Sequence, residues 1–89
     1  MLSAAERKSL KARAHKLEPV VLIGAKGITD EVVEEVDLAL KAQELIKVRA
    51  ASLAREAREE AMQMLCERTG AQAVQTIGKV LVIYRKRDE

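Results

Sequence analysis

Four consecutive apolar residues, Val20-Val21-Leu22-Ile23, stand between Pro19 and Gly24, and they constrain the fold more tightly than any other stretch. The run is rich in β-branched residues and reads as a strand buried on both faces, as in a parallel sheet. Gly24-Ala25-Lys26-Gly27 follows, then Ile28-Thr29-Asp30-Glu31. Thr29 is a good N-cap, and the two acids after it suit the positive end of a helix.

The pattern on either side supports this reading. Ser3-Ala4-Ala5-Glu6 matches a capping box and predicts a first helix to about His15. That helix would bury Leu2, Leu10 and Ala14 and display Arg7, Lys8, Lys11 and Arg13, and Glu18-Pro19 ends the segment. The second helix, from Thr29, carries an apolar stripe of Val32, Val33, Val36, Ala39 and Leu40, with Glu34, Glu35 and Asp37 facing water. Leu45–Ala50 alternates, so Ile46, Val48 and Ala50 share one face of a strand while Lys47 and Arg49 share the other. A third helix spans about Leu53 to Thr69, buries Ala54, Ala57, Ala61, Met64 and Leu65, and closes at Gly70. Ala73–Ile77 and Val80–Arg85 read as strands joined by a tight hairpin at Gly78-Lys79. The order α-β-α-β-α-β-β predicts a single α/β domain over residues 1–89. Its two β-α-β units predict parallel pairing, and its last strand turns antiparallel.

Charge is divided along the chain. Residues 1–28 hold six Lys/Arg against two acids, residues 29–46 six acids against one Lys, and residues 47–89 nine Lys/Arg against six acids. One basic and one acidic face would result, although two solvated helix faces of opposite sign would give the same count. Tyr84 is the only aromatic residue, so the base-stacking platforms of common single-strand RNA readers are missing.

Several functions are disfavoured. Cys66 is the only cysteine and His15 the only histidine, so no intrachain disulfide and no Cys-based or His-pair metal site is expected. Cys66 lies mid-helix near Met62 and Leu65, where a small core cysteine is the natural reading. His15 is placed to cap the first helix or to touch RNA. No acid–base or nucleophile pair suggests an enzyme, and no cofactor or small-molecule substrate is implied. Leu2 is followed by a charged helix and not an apolar run, and no stretch approaches the ~18 apolar residues of a membrane span. A cytoplasmic location without a membrane partner is the expectation.

The glycine loop is neither a Walker nor a dinucleotide-binding pattern. Gly24 and Gly27 would let a phosphate chain approach the backbone, as in KH-type clamps, with Lys26 adding a charged contact. A plain strand–helix turn would use the same glycines. Lys47 and Arg49 would join a basic groove or sit on a solvated sheet face. Arg85-Lys86-Arg87 is a short basic run that would touch phosphate or simply aid solubility.

The string from Leu17 to Thr29, LEPVVLIGAKGIT, closely resembles the signature of the CRM domain (chloroplast RNA splicing and ribosome maturation). Glu44–Arg49 is similar to the family's second strand, and Thr69-Gly70-Ala71 with Ile77–Arg85 to its closing elements. A chain of this size looks like the stand-alone, bacterial YhbY-like members. The resemblance implies a four-stranded mixed sheet with three helices, similar to the C-terminal domain of translation initiation factor 3. It also implies RNA binding and association with precursors of the large ribosomal subunit, so that large-subunit ribosomal RNA and pre-ribosomal particles are the expected partners. The family's loop maps onto Gly24, Ala25, Lys26 and Gly27, and its basic surface onto the first helix and nearby strand positions. Ala25 departs from the more polar residues common there, which leaves Lys26 as the loop's only charged side chain.

The expected contacts are therefore the loop residues Gly24, Ala25, Lys26 and Gly27, with Arg7, Lys8, Lys11, Arg13 and Lys47 neutralising phosphates. The alternative is a protein-interaction module that docks through the open edge of the Val80–Arg85 hairpin or the acidic second helix.

Overall fold

In the computed structural model, which describes residues 2–87, Ser3 caps α1 (Ala4–Ala14) as the capping box predicts. Its Oγ accepts the Glu6 N–H at 3.0 Å, and Glu6 Oε1 accepts the Ser3 N–H at 3.0 Å. The Ser3 N–H and hydroxyl together hold the Glu6 carboxyl below its usual range. β1 (Pro19–Leu22), α2 (Asp30–Ala42), β2 (Leu45–Arg49), α3 (Arg55–Thr69), β3 (Gln72–Ile77) and β4 (Val80–Tyr84) follow. Thr29 Oγ1 caps α2 by accepting the Val32 N–H at 3.2 Å. Gly70, at φ 75°, closes α3. The result is a small α/β domain with three helices and one four-stranded mixed sheet.

The strand order is β1-β2-β4-β3. β1 pairs parallel with β2, whereas β4 pairs antiparallel with both β2 and β3. Parallel pairing thus holds for the first β-α-β unit and not for the second. β2 and β3 run the same way, but β4 has been inserted between them. β4 is accordingly an interior strand, and the free edge of the hairpin is β3.

Helices cover both sides of the sheet. α2 and α3 pack Val32, Val36, Leu40, Ala61, Met62 and Leu65 against one face, which is made by Val21, Ile46, Val48, Leu81 and Ile83 among others. α1 packs Leu10 and Ala14, with Leu2, against Leu45, Val74 and Val82 on the opposite face. The consecutive residues Leu81, Val82 and Ile83 therefore alternate between the two clusters.

Three local expectations are corrected. β1 is an edge strand open on one face: Val21 is buried, but Val20 is 51% and Leu22 66% exposed. A continuous apolar run does not by itself distinguish this from a strand covered on both sides. α3 starts at Arg55, with Ala54 as an N-cap that makes no side-chain bond, and its buried residues are Ala61, Met62, Leu65 and Thr69. Ala54 and Met64 are exposed, so the stripe lies partly elsewhere than expected. Asp37 is not simply solvated. Arg85 Nη1 donates to its Oδ1 at 2.7 Å and to the Thr69 carbonyl at 2.7 Å, and Nη2 donates to the Asp37 carbonyl at 3.2 Å. Arg85 first, then Lys41, holds the Asp37 carboxyl below its usual range.

Candidate functional site

The loop after β1 is a tight turn. The Gly27 N–H donates to the Gly24 carbonyl at 3.0 Å, and Gly27 has φ 75°, where a side chain is strained. Gly24 is different: its φ is not positive, and a Cβ built on it would meet nothing within 4 Å. The fold therefore tolerates a side chain at Gly24, and what the glycine keeps is room for something approaching from outside. Ala25 and Lys26 are exposed at the tip. The Ile23 N–H donates to the Arg49 carbonyl at 2.8 Å, which ties the loop to the end of β2.

The loop stops two residues short of the α2 N-cap. Asp30 and Glu31 occupy the first turn of α2, and Thr29 already bonds one of its free N–H groups. The positive end of that helix is thus shielded from an incoming anion. The sheet side of the loop carries no such acids.

On that side α1 covers only part of the face, around Leu45, Val74 and Val82. Lys47 and Arg49 project from β2 on the same face, nearer the loop. Register places Lys47 between Pro19 and Val82, and Arg49 between Leu22 and Val80. The four strands contain no Asp or Glu, and these two cations are their only charges.

The basic residues of α1 do not act as one set. At 100° per residue Arg7, Lys8 and Lys11 lie on one flank and Arg13 on the other. Arg13 borders a depression with Leu17, Gln43, Glu44 and Leu45 at the start of β2. Arg7, Lys8 and Lys11 lie on the flank of α1 turned away from that depression. Arg49 was not among the expected contacts, although its alternation with Lys47 already put both on one face.

The tail reads differently from expectation. Arg85 is committed to Asp37 and Thr69, and the Arg87 N–H donates to Glu44 Oε2 at 2.8 Å. Of the three basic residues, Arg85 is thus structural, and Lys86 stays exposed. A depression of about 790 Å³ lies beside this arginine and is lined by Asp37, Thr69 and Gly70, away from the glycine loop. Burial raises the Cys66 thiol above its usual range, as suits a half-buried neighbour of the α2/α3 core. Among the described residues no group of three or more His, Cys, Asp or Glu side chains is placed to hold a metal.

Comparison with known proteins gives a consistent result. The CRS1/YhbY (CRM) domain matches residues 2–85. A Haemophilus influenzae protein named as an RNA-binding protein is 42% identical over 88 residues, spanning 99% of this chain and 89% of that relative. Bacillus subtilis YqeI, named a probable RNA-binding protein, is 33% identical over 89 residues, spanning 100% of this chain and 93% of the relative. The solution structure of SAV1595 from Staphylococcus aureus is similar with a TM-score of 0.88 at 34% identity, covering 100% of this chain and 93% of that one.

Proposed function

The chain belongs to the CRS1/YhbY (CRM) domain family, and on that premise we propose that it is a cytoplasmic, non-enzymatic RNA-binding protein acting on precursors of the large ribosomal subunit. RNA binding is supported by the names of its relatives, and the ribosomal assignment by the family resemblance of its signature string.

Unpaired charge carries the reading at the level of residues. Among the described residues, the four ion pairs involve Lys41, Arg55, Arg68 and Arg85. Of the other Lys and Arg residues, which make no ion pair among the described residues, Arg7, Lys8, Lys11, Lys26, Lys47 and Arg49 lie on α1, on β2 or in the glycine loop. They border a half-open sheet face whose strands carry no acid, so a polyanion finds cations that need not be released from internal partners first. Lys26 and the backbone of the Gly24–Gly27 turn hold phosphate at one end of this track. Lys47 and Arg49 continue it, and the flank of α1 completes it.

Salt titration tests the mechanism. With about four phosphates engaged on single-stranded RNA, log K falls with log salt at a slope of roughly −3, and a slope near zero refutes it. Ala25→Asp with Lys26→Asp should abolish most binding and leave the melting curve unchanged, because both residues sit at an exposed turn. Unchanged affinity in that variant removes the loop from the interface.

A further inference from the structure

The same half-face carries an apolar feature that phosphate binding does not use. Leu22 lies opposite Arg49, Arg49 opposite Val80, and Val80 opposite Ile77. These four residues form one continuous row across all four strands, about 14 Å wide at the usual strand spacing. Leu22 is 66% and Ile77 45% exposed, and Val20 beside them is 51% exposed. The other large exposed hydrophobics, Leu38 and Met64, stand singly on α2 and α3, which is ordinary for a protein surface. A contiguous aliphatic row interrupted by one unpaired arginine is not.

We propose that this row seats unpaired nucleobases, so that the RNA bound is a single-stranded segment and not a duplex. The inference rests on the RNA-binding reading above. Duplex RNA presents phosphates, 2′-hydroxyls and shallow base edges, and it gives an aliphatic row nothing to cover. An unpaired strand offers apolar base faces beside its phosphates, which suits a row in which Arg49 stands among Leu22, Val80 and Ile77. A second copy of the chain matches poorly. Across a two-fold axis this face would meet itself, bringing Arg49 and Lys47 against the same cations with no strand acid to pair them. Leu22, Val80 and Ile77 thus stand in for the missing aromatic platform, giving coverage of bases without ring stacking.

The test compares a short unpaired RNA with a duplex of the same composition, using the intact protein and its Leu22→Thr/Ile77→Thr variant. Threonine is β-branched and suits a strand, and both sites are exposed. Wild type should prefer the unpaired RNA. The variant should lose about tenfold on it, with unchanged duplex affinity and unchanged salt slope. Leu22→Thr alone, at the more exposed site, should lose about threefold and serves if the double variant melts early. An unchanged affinity for unpaired RNA overturns the inference while leaving the RNA-binding reading intact, as does an equal loss on both RNAs. Wild type that binds neither RNA overturns both. A wild-type dimer that the substitutions disperse assigns the row to self-association and overturns the inference.

Discussion

The two faces of the sheet both carry helices, one fully and one in part, and they treat charge in opposite ways. On the α2/α3 face the helices are acid-rich: α2 carries five acids against Lys41 alone. The ion pairs among the described residues involve these helices, with Asp30 bonded to Arg68 and Asp37 to both Arg85 and Lys41. On the α1 face, four cations of the helix stand against Glu6, and two more rise from β2. None of these six is paired among the described residues. The first face uses polar groups to close the fold, and the second leaves them available. The ion pairs among the described residues thus lie on one side, although Glu31, Glu34 and Glu35 of α2 take part in none, and the six cations of the other side make none.

Arg85 gives the sharpest way to break this division. Replacing it with alanine removes bonds to Asp37 and Thr69 and leaves a half-buried carboxylate without its main partner. The expected loss is about 3 kcal/mol in chemical denaturation, or a Tm lower by about 15 °C. The variant that remains folded should bind RNA normally. The same contact makes stability acid-sensitive. The folded-state pKa of Asp37 is depressed, so its contribution is complete above the ordinary carboxylate range and is lost as pH falls below about 4. Asp37→Asn should flatten that acid limb.

Charge reversal should act on the other side. Lys8→Glu with Arg49→Glu should weaken RNA binding by about thirtyfold at moderate salt with little change in stability. Glu34→Lys with Glu35→Lys, on exposed positions of α2, should not weaken it at all. Equal losses from the two pairs would mean that net charge, and not one face, attracts RNA. The smallest effect tests the flanks of α1. Arg13→Glu, facing the start of β2, should cost no more than about twofold. A loss as large as that of Lys8→Glu would mean that the RNA wraps both sides of the helix.

Local order was legible and nonlocal order was not. The capping box of α1, the Thr29 cap of α2, the alternation of β2 and the Gly78-Lys79 turn are written within a few residues, and each stands where expected. The insertion of β4 between β2 and β3 depends on pairings across more than thirty residues, for which no short pattern exists. β1 looked doubly buried because Val, Leu and Ile carry the same signal whether or not a second layer covers them. The stripe of α3 was misplaced because alanine and methionine are scattered around that helix and mark no sharp face. Arg85 read as a terminal cation because its partner Asp37 is 48 residues away in sequence. At the candidate site, the loop and Lys47 were singled out from residue type and spacing. The open row of Leu22, Arg49, Val80 and Ile77 needed the register.

The place of β4 also dictates when the protein can exist. It is the last strand of the sequence and the middle of the sheet, and Leu81, Val82 and Ile83 are fully enclosed. As the chain leaves the ribosome, α1 through β3 emerge with neither hydrophobic cluster able to close, because both share β4 as a wall. The earlier segments must wait as partly formed elements until residues 80–84 arrive. Folding is then a single late event set by long-range pairing, and a newly made molecule acquires its basic face all at once.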